Sequence, residues 1–545
     1  MKRKHLLYAI AIAVFTLSSC DSLLEEENFG HPTEGEILAN ENNIILLVGQ
    51  SYAEIKWLHD HWGYWGLNTL TSDEAVNPVR MPGSHWSDGG YWRGMNTQDW
   101  DADTDAFEYV WNQSVSGAVL CNKTLNTLTE NQDIISEDIY NQYVGELEVL
   151  RSFYYYTLFD CFGRIPYTEV YTEEDVPLME PADVWVKLVE NLEKNAPNLP
   201  IVTDANRTLN YGRVTQGFAY ALLARLYLNA KSYGVTTDET QNYTKCIEAC
   251  NKVIESHSYT IESDFFTNFK IYNESSKENI FVIVEDGNAD FDYRDIGGKM
   301  ANKLRITMLS LHYSHQAAWD MIEKPWNGFC APPDFINRYA DNDVRGPGVE
   351  GNGTLNTGTY GWFVGPIYNA AGTAILKDEN GDEAIITKEV NSMDAAGWGD
   401  GARLQKYEID KEKRFKFCEN DFVLFRYADV LYMKAEAILR GGSGADIGTL
   451  LNDADFRRIR SRAGVTLYTS ITLDELLDER GREFAWENVR RRDLIRYGQF
   501  AEGTWFGKEA KDATRNWFPI PKPILEKSPR SEDGSPIWTQ NAGYN

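Results

Sequence analysis

The sequence predicts a mainly α-helical protein whose helices lie toward both ends of the chain and flank a loop-rich central region. Apolar residues recur at steps of three and four before about residue 260 and again after residue 425, which is the spacing of one buried helix face. Between about residues 270 and 420 this period is lost, and glycine and asparagine become frequent. With 545 residues, 43% of them hydrophobic, the chain can bury a large core.

The helical period is clearest in two segments. One apolar face of 146–162 carries Leu147, Leu150, Tyr154 and Leu158, and the segment 214–228 has an equivalent face. The same pattern predicts further helices at Val184–Leu192, Asn242–Ile254, Phe425–Leu439 and Leu473–Tyr497. No segment carries a complete tetratricopeptide pattern at 34-residue spacing, so any helical repeats must be degenerate.

Two regions are predicted to be rich in loops. The central one contains only short strand-like runs such as Ile280–Val284. The other spans Gly63–Asp105, where glycines and prolines argue against a regular helix. Loops held on a rigid scaffold often carry binding residues, so both regions are candidates for a site.

The N-terminus has the pattern of an export signal. Three cationic residues, Lys2 to Lys4, precede the apolar run Leu6–Leu17, which is too short to span a bilayer. The following Ser18-Ser19-Cys20 resembles a bacterial lipobox, in which the cysteine is acylated and becomes the first residue of the mature protein. An ordinary signal peptide with an incidental cysteine is the alternative.

These patterns divide the chain into three parts. Residues 1–19 are predicted to be a signal peptide, and residues 20–35 a lipidated tether that includes the acidic run Glu25–Glu27. Residues 36–545 then form the folded domain, with a helical part at about 36–260 and a loop-rich and C-terminal helical part at about 261–545.

Charge and composition exclude some functions. The chain has 53 basic and 82 acidic residues, a net charge of −29, which disfavours nucleic acid as a partner. Its 16 Trp and 30 Tyr offer large apolar faces with a polar edge, which suit the C–H faces of sugars. The six cysteines after Cys20 lack the CxxC spacing of a zinc site and are expected to be mostly buried and apolar in character.

Several segments, taken in order along the chain, form a recognisable set. They are Glu146–Tyr155, Phe162–Tyr167, Arg213–Gly217, Ala221–Leu228, Phe425–Ala437, Ile459–Gly464, Glu479–Arg496, Pro519–Pro521 and Gln540–Tyr544. Together they resemble the SusD/RagB family, surface lipoproteins that bind glycans and other nutrients for a partner transporter. Ala542 stands where that family usually has proline, a difference without functional consequence.

The resemblance implies a SusD-like fold of degenerate tetratricopeptide-like helix pairs that support a loop-rich, ligand-binding face. It implies a SusC-like TonB-dependent transporter as partner, and a lipid-anchored position on the cell surface at the outer membrane of a Gram-negative bacterium. Asp21 alone would suggest retention at the inner membrane in many bacteria, but the acidic run Glu25–Glu27 resembles a surface-export signal of bacteria that carry this family. The Arg- and Glu-rich run 479–496 is interpreted as a helix whose charges pair internally, Glu483 with Arg480 and Glu487 with Arg490 or Arg491.

The candidate glycan-binding residues are aromatic side chains in the two loop-rich regions, joined by polar side chains that could bond hydroxyl groups. They are Trp86, Tyr91, Trp92, Trp100 and Trp326, with Asp73, Arg80 and Asp88. Trp319 is less favoured than Trp326, because Pro325 and Gly328 keep Trp326 out of regular structure. For each aromatic residue the alternative is that it fastens its loop to the helical core.

No metal or catalytic motif is complete. Asp99, Asp101, Asp103 and Asp105 resemble the start of a calcium loop, but Thr104 and Val110 stand where that loop needs Gly and Glu. Calcium is therefore an alternative, and no cofactor is expected. The pairs His59 with His61 and His312 with His315 lack a third ligand motif.

The sequence thus predicts a non-catalytic protein that binds oligosaccharides and delivers them to its transporter. A surface glycoside hydrolase is one alternative, since pairs of carboxylates of the kind that such chemistry needs arise by chance among 82 acidic residues. A subunit that binds peptides or other nutrients is another, and a purely structural transporter component is the last.

Overall fold

The computed structural model describes residues 34–58, 60–83, 86–236, 238–285, 305–347, 361–414 and 418–544. The predicted signal peptide, Cys20 and His59 lie outside these residues. Within them, no helix is both long and apolar enough to cross a membrane.

The described residues are mainly helical, as the sequence predicts. The α-helices, numbered in chain order, are α1 (Glu34–Leu38), α2 (Ile44–Ala53), α3 (Ile55–Leu58), α4 (Tyr64–Thr69), α5 (Tyr91–Thr97), α6 (Asp105–Glu130), α7 (Glu137–Phe162), α8 (Pro181–Asn195), α9 (Arg207–Asn210), α10 (Gln216–Leu228), α11 (Glu239–Glu255), α12 (Arg305–Ser310), α13 (His315–Trp319), α14 (Pro333–Ile336), α15 (Tyr427–Leu439), α16 (Ile447–Leu451), α17 (Ala454–Arg462), α18 (Leu473–Glu483), α19 (Arg490–Arg496) and α20 (Lys522–Glu526). Short 3₁₀-helices occur at Glu41–Asn43, Asp88–Gly90, Gln132–Ile134, Ala196–Asn198, Ala230–Tyr233, Phe265–Phe269 and Ala513–Asn516.

The strands are short and pair two by two in antiparallel fashion. They are β1 (Ile165–Pro166) with β2 (Leu178–Met179), β3 (Asn279–Ile283) with β8 (Phe422–Arg426), β4 (Gly361–Phe363) with β7 (Arg403–Gln405), and β5 (Gly365–Pro366) with β6 (Ile385–Ile386). The strand predicted at 280–284 corresponds to β3, whose register places Val282 opposite Val423.

Helix hairpins form the scaffold. Helices α6 and α7, of 26 residues each, pack along one another and are joined by a short connection that contains a 3₁₀ turn. They approach closely at Gly117, where an added Cβ would lie 2.2 Å from the Tyr154 ring. Helices α10 and α11 form a second pair, and α11 also packs on α15. Buried apolar residues at helical spacing on these faces join one continuous core.

Most of the predicted helices are confirmed, but the one predicted over 473–497 is wrong. Helix α18 ends at Glu483, and α19 begins only at Arg490. Trp486 and Asn488 between them have φ angles of 61° and 66°, which an α-helix cannot accommodate. Because of this break, the charged side chains of the run 479–496 point into the protein interior.

Those charges form a buried network that reaches well beyond one helix, although Arg482 with Glu479 and Arg496 with Asp493 also pair within α18 and α19. The Glu483 carboxylate accepts hydrogen bonds from Arg345 at 2.7 Å, Arg426 at 3.0 Å and Arg462 at 2.7 Å. Glu487 lies against Lys406 and Arg426 instead of Arg490 or Arg491. Burial alone would raise the pKa of Glu483, but the three guanidinium groups outweigh burial and hold that pKa far below its ordinary value.

The partners predicted for the other charges of this run are also wrong. Arg480 pairs with Asp429 and Asp493, and Arg491 lies 3.3 Å from Asp160. A surface helix would expose such residues, whereas here they fasten helices from distant parts of the chain together. By contrast, the expectation for cysteine holds, since all six described cysteines are buried and none of them forms a disulfide with another described cysteine.

Candidate functional site

Five partly exposed aromatic side chains from three segments of the chain lie close together. We call Trp62, Trp86, Tyr91, Tyr313 and Trp326 the aromatic surface. Ring centroids are 5.0 Å apart for Trp62 and Tyr91, and 5.8 Å apart for Trp86 and Trp326. The Tyr313 hydroxyl lies within hydrogen-bonding distance of the Trp86 backbone. The set therefore presents several aromatic faces at one place on the protein.

A buried layer supports this surface from below. The Trp92 side chain, only 1% exposed, contacts Trp62 with ring centroids 4.7 Å apart and Tyr91 with centroids 4.8 Å apart. Phe329 meets Trp86 edge to face at 5.0 Å, and the buried His61 ring lies 5.2 Å from Trp92. Such edge-to-face packing fixes ring orientation, so the exposed rings are held in place before any ligand arrives.

A short helix places Tyr91 and Trp92, contrary to the prediction of a loop. Gly89 and Gly90 have φ angles of 65° and 89°, which glycine adopts without strain, and helix α5 begins directly after them. The exposed Asp88 accepts a hydrogen bond from Trp92 Nε1 at 2.9 Å. These glycines, which in the sequence suggest a loop, lie directly before the first residue of the helix and mark where it begins.

Trp326 lies on irregular backbone, as its flanking residues predict. Its N–H donates to the carbonyl of Met308 at 2.9 Å, and Asn327 has a φ angle of 54°. An added Cβ on Gly328 would lie 2.4 Å from the Trp86 ring. Glycine at this position therefore permits the contact between the two segments that carry Trp86 and Trp326.

Arg80 is a structural residue and does not face a ligand. Its side chain is 1% exposed and donates to five carbonyl oxygens in two loops. Those carbonyls belong to Asn327 and Gly328 in one loop and to Gly397, Trp398 and Asp400 in the other. Each nitrogen of the Arg80 guanidinium group already donates to a loop carbonyl, which argues against the predicted role of Arg80 in bonding sugar hydroxyls.

Asp73 and Trp100 are also internal. The Asp73 carboxylate accepts two hydrogen bonds from Arg490 at 2.7 Å each and lies 2.8 Å from Arg338. Trp100 is 4% exposed, and its Nε1 donates to the Tyr544 hydroxyl at 2.9 Å. Both residues, like Trp92, fasten the segment 72–100 to the core, which is the alternative that the sequence left open.

The structure adds Trp62 and Tyr313, which sequence analysis did not single out. Trp62 precedes Gly63-Tyr64-Trp65, an aromatic run interrupted by glycine that is the same signal used for Trp86 and Trp92. Tyr313 lies in the central loop-rich region, but a lone tyrosine beside two histidines carries no distinguishing pattern. Of the predicted residues, Trp86, Tyr91, Trp326 and Asp88 remain accessible at this site.

Side chains of the candidate metal motifs contact other groups of the protein. Asp99 lies against Lys511 and Asp103 against Lys522, so two of the four carboxylates of the calcium-like segment pair with lysines. Burial lowers the pKa of His315 to about 3, and its Nδ1 lies 3.2 Å from the His312 carbonyl. No group of three or more potential metal ligands occurs among the residues that the structure describes.

Glu74 connects the segment 72–100, which carries part of the aromatic surface, to the break between α18 and α19. Its Oε2 accepts a hydrogen bond from the Trp486 N–H at 3.0 Å, and the Trp486 carbonyl accepts one from Trp65 Nε1 at 3.0 Å. Burial raises the pKa of Glu74 from its ordinary 4.5 to about 8, and the neighbouring Asp73 adds to this against the opposing effect of Arg490 and Lys406. This carboxyl group is therefore protonated at neutral pH.

This raised pKa predicts a pH dependence of stability. Because Glu74 holds its proton more tightly when folded, its contribution to stability is complete below pH 4.5 and is lost as pH rises through about 8. Relative to the wild type, a Glu74→Gln variant should therefore gain thermal stability steadily between pH 5 and about pH 8, and the difference should level off toward pH 9. Melting curves of the two proteins across this range test the prediction, and parallel pH profiles would contradict it.

Comparisons with known proteins agree with this architecture. A family model described as "SusD family" matches residues 278–535, and a second, described as "Starch-binding associating with outer membrane", matches residues 66–228. The "Starch-binding protein SusD" of Bacteroides thetaiotaomicron is 27% identical over 427 residues, which cover 73% of this chain and 72% of that protein.

Solved structures of similar fold include two with near-complete overlap. A SusD superfamily protein from Parabacteroides distasonis superposes with a TM-score of 0.71 at 18% identity, covering 92% of this chain and 99% of the other. Surface glycan-binding protein A from Bacteroides thetaiotaomicron, solved with laminarihexaose, gives a TM-score of 0.69 at 21% identity, again covering 92% and 99%.

These matches concern binding proteins, and the descriptions name no catalytic activity. The two family models together span both the segment that carries Trp86, Tyr91 and Trp92 and the segment that carries Tyr313 and Trp326. With its mainly helical SusD-like fold and its matches to two family models over residues 66–228 and 278–535, this chain belongs to the SusD/RagB family.

Proposed function

We propose that this protein binds oligosaccharides at the aromatic surface. The observation that carries the proposal is the gathering of five partly exposed aromatic side chains, from sequence positions as far apart as Trp62 and Trp326, on a rigid buried layer. Indole and phenol faces of this kind stack on the C–H faces of sugar rings, and the exposed Asp88 carboxylate can accept hydrogen bonds from hydroxyl groups.

The relatives support glycan as the ligand class. One is named for starch binding, and another was solved with laminarihexaose. Those ligands are known of those proteins, and the aromatic surface offers the same kind of recognition here. Peptides, which the sequence left as an alternative, remain an outcome of the binding test.

We also propose the setting in which binding takes place. Cys20 carries the lipid anchor, residues 20–35 form the tether, and residues 36–545 fold at the cell surface on the outer membrane of a Gram-negative bacterium. The partner is a SusC-like TonB-dependent transporter, to which the bound oligosaccharide is delivered. The family description of outer-membrane association supports this setting. The hairpins α6–α7 and α10–α11 would then be the degenerate tetratricopeptide-like pairs of the scaffold.

Removing the aromatic faces should abolish binding. A Trp62→Ala/Trp86→Ala/Trp326→Ala variant is expected to lose at least about a hundredfold in affinity, since aromatic anchors commonly contribute 2 kcal/mol or more each. Retardation in gels that contain a panel of polysaccharides, followed by calorimetry with the best oligosaccharide, measures the effect.

The controls for this variant are aromatic residues that are exposed elsewhere. Tyr171 is 45% exposed and Tyr272 is 64% exposed, and Tyr171→Ala with Tyr272→Ala should leave affinity unchanged. Full binding by the folded triple variant would refute the proposed site. Failure of the wild type to bind any glycan in the panel, with heat released on adding peptides, would favour peptide uptake.

A further inference from the structure

The exposed cations beside the aromatic surface already have carboxylate partners. Lys324 lies 4.2 Å from the centre of the Tyr313 ring, and its ammonium group pairs with Glu379. Arg93 follows Trp92 on helix α5 and pairs with Asp394. Each cation thus has a carboxylate beside it that offsets its charge and competes with a carboxylate or sulfate group of a ligand.

The buried cations beneath the surface donate to the loops around them. Each nitrogen of the Arg80 guanidinium group donates to a loop carbonyl, as described above. Arg403 is fully buried, and its two terminal nitrogens donate to the carbonyls of Asp400, Gly401 and Trp398 and to the Asn327 side chain. Burial and the nearby Arg80 lower the pKa of Arg403 to about 9. These arginines hold loops in place and do not reach a ligand.

Among the residues that the structure describes, the exposed charge at the site that lacks an oppositely charged partner is negative. Asp88 is exposed, and among the residues that the structure describes it has no cationic partner, only the Trp92 N–H. The protein as a whole carries a net charge of −29. Both features disfavour the approach of an anion. The long-range repulsion that comes from the net charge weakens as the salt concentration increases.

We propose that the aromatic surface selects neutral glycans and discriminates against chains that carry carboxylate or sulfate groups; this inference rests on the proposed glycan-binding function. Proteins that bind anionic groups tightly use unpaired arginine or lysine donors, often with two parallel hydrogen bonds from one guanidinium group. This site instead combines stacking faces with a carboxylate acceptor. Neutral sugar hydroxyls can donate to that acceptor, whereas a second carboxylate would be repelled by it.

The test compares one polymer with its own charged derivative. The neutral polysaccharide that binds best in a panel containing laminarin and starch is carboxymethylated or sulfated to a low degree, and both forms are measured by gel retardation at two salt concentrations. We expect affinity for the derivative to fall at least about tenfold at low salt and the difference to shrink at high salt. Equal or tighter binding of the derivative would overturn the proposal.

A charge variant tests the local part of the argument. Glu379→Gln frees the Lys324 ammonium group, so the preference for the neutral polymer over its derivative should decrease. Glu383→Gln is the matched control, because this exposed carboxylate pairs with Lys377 and not with Lys324. A preference that Glu379→Gln leaves unchanged would overturn the proposed origin of the selectivity. If the unmodified protein binds none of the neutral polysaccharides, the glycan-binding function itself fails, which is a distinct result.

Discussion

Replacing Glu483 with glutamine is expected to destabilise the protein more than any other single change considered. The Glu483 carboxylate is fully buried and accepts hydrogen bonds from Arg345, Arg426 and Arg462. Loss of its charge leaves three buried guanidinium groups with too little negative charge around them. Removing one partner from a buried ion pair typically destabilises a protein by about 3–5 kcal/mol, and here one carboxylate serves three partners.

Denaturant unfolding and soluble yield measure this effect. Glu502→Gln is a suitable control, because Glu502 is exposed and close in sequence, and it should change the free energy of unfolding by less than about 0.5 kcal/mol. An unfolding midpoint equal to that of the wild type for Glu483→Gln would show that the buried network contributes little to stability.

Replacing Arg80 with methionine is expected to weaken both the fold and ligand binding. The five carbonyl oxygens that Arg80 satisfies would lose their donor, and each buried unsatisfied polar group costs about 1–3 kcal/mol unless water or a shift in backbone replaces the bond. Two of those carbonyls directly follow Trp326 in the chain. Movement of this loop would displace Trp326 from Trp86, and we expect affinity for the glycan to fall at least about tenfold.

Calorimetry with the best oligosaccharide, together with thermal unfolding, separates the two effects. Arg530→Met is the control, because Arg530 is exposed and its guanidinium group makes only a long hydrogen bond, of 3.4 Å, to a neighbouring loop carbonyl. A folded Arg80→Met protein with wild-type affinity would show that the loop keeps its shape without the guanidinium group.

Helical period predicted the scaffold well, because α7 from Gly145 onward, α10 and α11 bury residues at helical spacing against neighbouring helices. It failed over 473–497, where the apolar spacing continues through Phe484–Val489 although Trp486 and Asn488 adopt left-handed backbone. Burial of that segment against Glu74 and Trp65 overrides local preference. Such tertiary contacts leave no trace in the local pattern of residues.

The site was predicted in part, and the errors share one cause. Trp86, Tyr91 and Trp326 were identified because aromatic residues beside glycine and proline suggest exposed loops. Asp73 and Arg80 lie in the same segment, but whether a charged residue faces solvent or a buried partner depends on groups more than 200 positions away. Sequence proximity to a binding residue therefore said little about the direction of each side chain.

The bonds that fix the site connect residues that are far apart in the chain, and this bears on how the protein reaches its active form. The segment around Trp65 and Asp73 is fastened to Trp486 and Arg490, and Asn541 near the C-terminus donates to the Phe162 carbonyl at the end of α7. Long-range contacts of this kind form late and slowly, because loop closure must precede them. A nascent chain that has emerged only as far as its helical N-terminal half lacks Trp326 and Phe329, which pack on Trp86, so the aromatic surface cannot be complete until these later residues have folded against it.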